Sequence, residues 1–449
     1  MKKKALSLIL SLAMVCSLAA CGSNNAPAES TTEETTATTE TTETTETTTE
    51  APATTETTEA APAEKTIEPC TVTFWHAMSN KQEEALTALT DKFNSTNEYG
   101  ITVELVNQGK YSDLSSKIDA SVLSNELPDM SQVYNNWVSD YVDKLVTLDS
   151  FIESDFDNWD DIVPAFAQEA KSFGEYKVIP FNKSTYVFFY NKTLFNELGI
   201  EAPKTWDDLV AIAEVIKNEK GLPAIGFDDL TGAVDSVILQ NGGQFDENGV
   251  LVYNDEVATE AIDWFLNLYR NGYASLVGDD QYFSNKLSAG NIAGYIGSST
   301  GVTYITPDGW DLGVAPVYTG KEAYAYQAGT NLAMFAQDAN KQLACWEYMK
   351  FLTATENTTE WAMSTGYLPV RVSAINSDAY QAYLADSEAA QAAAVQAASY
   401  NGCYGGCYKG ANDIRNTISS KFTVYIQENY ATAEAIDDLV AEIEYILAY

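Results

Sequence analysis

From residue 67 onward the chain alternates two periods of apolar spacing. Residues 71–75 are rich in β-formers, whereas Ala85, Leu86, Leu89 and Phe93 recur on one face and predict a helix over 82–94. ITVELV (101–106) reads as a strand again, 111–124 as a helix, and PDMSQVY as a short buried strand. This βαβαβ order predicts a parallel sheet flanked by helices, with ligands at the carboxyl ends of the strands. KVIPFNKSTYVFFYNKTLFNELGI then predicts two strands running into a helix that Gly199 stops. PKTWDDLVAIAEVIKN predicts a helix capped by Thr205, with Asp208 three residues on and an acidic first turn. The alternation continues through AIGF, helices over 233–240 and 256–270, NIAGYIGS and DLGVAPVY. Beyond residue 340 the pattern is mostly helical and ends in an amphipathic helix over 432–447. No repeat of solenoid type is present.

The first 66 residues follow neither period. Lys2, Lys3 and Lys4 precede an almost purely apolar run from Ala5 to Ala20, which is the pattern of a secretory signal peptide. The run is shorter than the roughly 18 residues that a spanning helix needs. Its ending, Leu18, Ala19, Ala20, Cys21, resembles the lipobox of bacterial lipoproteins, which implies that Cys21 carries acyl chains and holds the protein on the outer face of a membrane. Residues 22–66 are nearly all Thr, Glu, Ala and Pro, without an aromatic residue. Such a segment lacks the apolar surface to offset its ordering entropy and is expected to be a disordered, self-repelling tether.

Charge narrows the partners. Of the net −39, residues 1–21 contribute +3 and residues 22–64 contribute −10, leaving −32 on the chain from Lys65 on. So acidic a surface argues against nucleic acid or anionic lipid as partner. It does not exclude a small anionic ligand, because local donors dominate a closed cleft while surface charge is screened over about 8 Å. The remaining 380 or so residues are enough for two lobes.

Enzyme signatures are missing: there is no phosphate-binding Gly-Lys loop, no G-x-S-x-G and no H-E-x-x-H. His76 is the only histidine, so a His-based triad or multi-His metal site has at most one member, and a satisfied strand-end histidine is the simpler account. Cys70, Cys345, Cys403 and Cys407 form an even set in an exported chain. Cys403 and Cys407 flank YGG and are expected to close a small disulfide loop; their redox state follows that of the surroundings.

FWHAM, IPFNKSTYVFFYNK, PKTWDDL, GVAPVY, AGTNLAMFA, WEYMKFLT and TGYLPVR, taken in order, resemble the extracellular solute-binding proteins of ABC importers, and among them the glycerol-3-phosphate-binding group. The resemblance spans 71 to about 430. It implies an α/β, two-lobed periplasmic-binding-protein fold (type II-like) with the ligand in the interlobe cleft. Carried over, lobe one comprises 67–179 plus 318–366 and lobe two 180–317 plus 367–449. It further implies capture of glycerol-3-phosphate or a glycerophosphodiester by hinge closure, delivery to a membrane permease, a monomer, and no cofactor or metal.

Matching positions supply the expected cleft. Arg415 in ANDIRN matches an Arg that grips phosphate, for which a guanidinium fork is suited; a surface helix ion pair is the competing account. Ser184 in FNKST and Ser299 in GSSTG match phosphate donors, although turns also favour serine, and Gly329 in AGTNL matches a glycine beside the ligand. Tyr367 in TGYLP and Tyr111 in GKYSDL match tyrosines at the phosphate and glycerol ends. Asn135 stands where the family has an acidic residue, and an amide both accepts and donates. Trp75 fits packing and stacking equally. DDLTG (228–232) lacks the aromatic residue the family stacks on its ligand. These departures leave a sugar receptor as the alternative, with a surface-anchored glycosidase or adhesin behind it.

Overall fold

The computed structural model describes residues 66–171 and 174–448. The signal segment, the tether and Cys21 lie outside the described residues. Ten strands form two five-stranded sheets. The first has the order β2 (Thr102–Asn107), β1 (Thr71–His76), β3 (Met130–Val133), β9 (Asn331–Met334), β4 (Val178–Pro180). As the βαβαβ spacing predicts, β1 runs parallel to both β2 and β3, whereas β9 is antiparallel to β3 and β4. The pleat assigns the faces of β1: Val72 and Phe74 enter one apolar cluster, and Trp75 packs against another.

The second sheet centres on β5 (Ser184–Asn191), flanked by β6 (Gly294–Ser298), β7 (Leu312–Pro316) and β8 (Tyr324–Ala328), with β10 (Asn401–Cys403) beside β8. Its continuous run TYVFFY follows from burial on both faces. Phe188 packs among helices Trp206–Lys220, Leu230–Gln240 and Glu256–Arg270, while Val187 and Phe189 enter the cluster on the other side. The helix signals hold locally: Thr205 Oγ1 accepts the Asp208 N–H at 3.1 Å and Asp208 returns the bond to the Thr205 N–H at 3.0 Å. Gly199 ends its helix at φ 67°.

Three differences from the sequence reading have physical reasons. AIGF is not a full strand: its two isolated bridges, Ile225–Ala274 and Phe227–Ile296, go to different partners, so no continuous ladder forms. β8 belongs to the second sheet, so the chain crosses between sheets at Gly329–Thr330 and not at 318. The last crossing runs at Leu368, which bridges Lys183 of the first crossing, one residue beyond the expected 367.

The crossings run side by side. Phe181–Lys183 leads from β4 to β5, and the Asn182 N–H donates to the Thr330 carbonyl at 3.0 Å. The Leu368 N–H donates to the Lys183 carbonyl at 2.6 Å. Lys183 itself is buried, with Nζ 2.8 Å from Glu169 Oε1 and side chains 1% and 7% exposed. Removing one partner strands a buried charge. Glu169→Ala is therefore expected to cost about 3–5 kcal/mol in urea unfolding. The apolar pair Lys183→Met with Glu169→Leu should recover most of that loss; a Glu169→Ala cost below about 1 kcal/mol would contradict a buried, coupled pair.

Candidate functional site

The carboxyl-end loops of the first sheet face residues of the second across a cleft. Two contacts join the walls: Ser79 Oγ to Tyr304 Oη at 3.4 Å and Asn136 Nδ2 donating to Asn412 Oδ1 at 3.0 Å; Tyr111 Oη lies 3.2 Å from Tyr367 Oη beside the last crossing. Tyr111, Tyr134 and Trp137 pack edge to face, with Tyr134 5.0 Å from each of the other two rings. Burial raises the Tyr134 hydroxyl far above its ordinary range, so it is a neutral donor and acceptor.

Arg415 is set by the second turn of helix Ala411–Gln427, whose backbone is pinned by Thr231 Oγ1 donating to the Arg415 carbonyl at 2.7 Å. Its Nη1 donates to Tyr326 Oη at 2.6 Å, and its guanidinium carbon lies 5.2 Å from the Tyr326 ring centre. Its Nη2 donates to the Asp229 carboxylate, which also accepts from Tyr186 Oη at 2.9 Å. Burial disfavours the guanidinium charge, yet Asp229 and the neighbouring tyrosines outweigh it and hold Arg415 firmly protonated. Gly232 makes this arrangement possible: a Cβ there would lie 2.5 Å from Asp229 Oδ2 and 3.0 Å from Tyr326 Cγ. The DDLTG segment, which the sequence reading noted as lacking an aromatic residue, thus contributes a carboxylate.

The other expected residues are placed as follows. Ser184 Oγ accepts from Ser298 Oγ at 3.0 Å, and Ser298 Oγ also contacts Thr300 Oγ1 at 2.9 Å, giving a compact hydroxyl group at the start of β5. Ser299 Oγ donates to the Gly366 carbonyl at 2.9 Å, and Tyr367 stacks on Trp361 at 5.7 Å. Asn135 Nδ2 donates to the Glu169 carbonyl at 2.8 Å while its Oδ1 accepts from Asn331 at 3.1 Å, so its amide braces the crossing region. Gly329 has φ 106°, and a Cβ would fall 1.6 Å from the Asn182 carbonyl oxygen. Trp75 lies beneath Lys117 Nζ, 5.6 Å from its ring, in the cluster that also holds Tyr111 and Tyr134. His76 Nδ1 accepts the Met78 N–H at 3.3 Å; burial lowers its pKa, and it lines a separate cavity of about 310 Å³ beside Glu83 and Thr90.

Cys403 and Cys407 are thiols, not the disulfide expected from their spacing. The Cys403 side chain is embedded in the apolar core of the second sheet, whereas Cys407 is half-buried beyond Gly405 and Gly406, so the two sit in different surroundings. Asp229, Tyr134, Tyr186 and Tyr326 escaped the sequence reading as individuals. The only signal was the abundance of tyrosine, which does not say which rings converge.

Two half-buried carboxyls lie close to Asp229. Burial pushes Asp228 up to about 7 even though it accepts the Phe283 N–H, and pushes Asp235 up to about 7 against the Tyr253 hydroxyl bond. An elevated folded-state pKa has a definite sign. Between about pH 4 and pH 7 the unfolded chain ionises while the fold retains the proton, so stability falls over that window and levels above it. Asp235→Asn keeps an acceptor for Tyr253 and should flatten the decline in melting temperature from pH 4.5 to pH 7.5. A profile parallel to the wild type would contradict it.

Comparison with known proteins accords with this geometry. A model of the bacterial extracellular solute-binding proteins matches residues 88–389. The chain is 25% identical over 342 residues to the sn-glycerol-3-phosphate-binding periplasmic protein UgpB of Salmonella typhimurium, covering 70% of this chain and 77% of that protein. Against UgpB of Escherichia coli (strain K12) it is 25% identical over 329 residues, covering 67% and 74%. Among solved structures, UgpB from Mycobacterium tuberculosis in complex with glycerophosphocholine aligns with TM-score 0.75 at 22% identity, over 84% of this chain and 98% of that one. The cyclic α-maltosyl-1,6-maltose binding protein of Arthrobacter globiformis aligns with TM-score 0.72 at 21% identity, over 84% and 99%. At these identities the two structures speak for the fold, which is the two-lobed periplasmic-binding-protein architecture. With more than half of its length matched, this chain belongs to the bacterial extracellular solute-binding proteins and is the substrate-binding protein of an ABC importer, acting outside the cytoplasm.

Proposed function

We propose that the cleft captures a glycerophosphodiester, with Arg415 as the phosphate-binding group. The observation that carries this reading is the Arg415–Asp229 pair. Two of the five guanidinium N–H groups are used, by Tyr326 and Asp229, which leaves three for a ligand among the described residues. One negative charge, that of Asp229, already occupies the fork. A phosphate monoester brings nearly two charges at neutral pH and meets Asp229 repulsion twice over, whereas a diester brings one. The cleft therefore favours a diester over free glycerol-3-phosphate. Ser184, Ser298 and Thr300 supply hydroxyls to phosphate oxygens, and Tyr111 and Tyr367 bound the opposite end.

The two lobes, built on the two sheets, close over the ligand about the crossings at 181–183 and 329–330, and the permease recognises the closed form. Cys21 anchors the chain by its acyl groups, and the protein works as a monomer on its tether. Among the described residues no helix is long and apolar enough to cross a membrane. A neutral oligosaccharide is the second reading. Its support is the pairing of Tyr186 and Tyr326 beside the Asp229 carboxylate, since sugar sites combine aromatic faces with acceptors for hydroxyls.

Calorimetry with glycerophosphocholine, glycerol-3-phosphate and maltotriose separates these readings. Glycerophosphocholine should bind tighter than glycerol-3-phosphate. Arg415→Ala should weaken it by about 1.5–3 kcal/mol, and Asp229→Asn should narrow the gap between the two phosphates. Maltotriose binding that survives Arg415→Ala, with neither phosphate bound, would overturn the diester in favour of the sugar.

A further inference from the structure

We propose that Cys70 and Cys345 are joined by a disulfide once the chain is outside the cytoplasm, a covalent link between the start of β1 and helix Ala339–Thr353.

Both are thiols in the structure, and hydrogen bonds and ring packing hold their two segments against each other at three levels. At one end Asn340 clamps Glu68: its Oδ1 accepts the Glu68 N–H at 2.8 Å and its Nδ2 donates to the Glu68 carbonyl at 2.9 Å. In the middle Asp129 gathers both sides. Its carboxylate accepts the Thr73 N–H and Lys341 Nζ, each at 2.9 Å, while its carbonyl accepts the Cys345 thiol at 3.9 Å. At the other end the rings of Phe74 and Tyr348 meet at 5.9 Å.

Within this frame the two cysteines face the same layer. The Thr102 N–H donates to the Cys70 carbonyl at 2.9 Å, so the ladder of β1 extends back to residue 70, and the pleat puts Cys70 on the face of Val72 and Phe74. On the helix, Lys341, Cys345 and Tyr348 follow one another at four and three residues and form one stripe, which the Tyr348 ring marks as the stripe turned to β1. Cys70 and Cys345 both fall between the Glu68 clamp and the Phe74 contact, and the apolar cluster that encloses Cys345 also packs on Cys70. Burial raises both thiols, Cys345 further than Cys70; each also feels Lys341 and Asp129, and Cys345 feels Cys70 itself. Cys403, by contrast, lies in the cluster of the second sheet.

The oxidant is an exchangeable disulfide, that of an exported thiol–disulfide catalyst or of oxidised glutathione. Cys70, half-buried, attacks it as a thiolate and releases one thiol; the Cys345 sulfur then attacks Cys70 Sγ and releases the second. One S–S bond breaks and one forms. The cysteine pair gives up two electrons and two protons, which leave on the two released thiols. Because Cys345 is sealed in the folded protein, the second step belongs to folding, before the cluster closes. The first sheet is built from two stretches of chain, β1–β4 and β9, separated by β5–β8 of the second sheet. The link ties those stretches together where the segment from Cys21 enters the folded part.

The experiment is peptide mapping of the full chain, exported with its own leader and blocked with N-ethylmaleimide before trypsin. Fragments 66–81 and 342–350, each with one cysteine, should appear as one linked species that reductant separates. In Cys70→Ser, fragment 342–350 should appear alone and alkylated. A second readout follows stability: dithiothreitol should lower the melting temperature of wild type and of Cys407→Ser and leave that of Cys70→Ser unchanged. Recovery of both fragments singly alkylated from exported wild type would overturn the pairing. So would a link from either of them to fragment 372–409, which holds Cys403 and Cys407. The wild-type map decides between these outcomes whether or not a variant folds.

Discussion

The close approach of two crossing segments underlies the whole arrangement. Gly329, at φ 106°, lies so near the Asn182 carbonyl oxygen that a Cβ would sit 1.6 Å from it. Only glycine accepts both the backbone angle and the proximity. Because the segments touch, β4 leads into β5 and β8 into β9 at one point, and beside it a single apolar cluster joins residues of both sheets. Lys183 and Glu169, buried beside the same crossing, tie it to the helix that precedes β4.

The cleft then handles charge by pairing. The folded part carries a large negative excess, so an unpaired arginine would be attracted to many surface carboxylates. Asp229 gives it a single fixed partner, with Tyr186 and Tyr326 completing the polar contacts on that side. The geometry of the fork is thereby organised before a ligand arrives, and less ordering entropy is lost on binding. Asp228 and Asp235, protonated over much of the acidic range, add hydrogen-bonding capacity close to Asp229 without adding a second and third negative charge there.

Aromatic residues do two separate tasks in this chain. Phe188, Phe189, Trp346 and Trp361 are interior and hold the sheets and helices together, whereas Tyr326 and Tyr367 are buried, Tyr111 and Tyr186 half-buried, and their hydroxyls are held by polar partners: Arg415, Asp229 and each other. Tyrosine suits the second task because the ring supplies apolar area and the hydroxyl stays satisfied by donating or accepting.

Much of the fold was legible in the sequence because its signals are local. Apolar spacing located the first βαβαβ unit; the Thr205–Asp208 box and Gly199 marked helix ends; the apolar run of β5 announced a strand. Short strands such as β8, β9 and β10 carried no such period, since three to five residues beside a crossing take their structure from their neighbours. Arg415 was readable as a candidate because its context matched a family, yet Asp229, 186 positions away, was not. Nor was the placement of Cys403 in the core and of Cys407 outside it, both as free thiols. The sequence by itself determined the alternation of elements and the family, because periodicity and local capping are written in neighbouring residues. Only the tertiary structure decided which carboxylate, which tyrosines and which glycine meet, because those contacts are made where distant segments cross, and no local pattern encodes a long-range pairing.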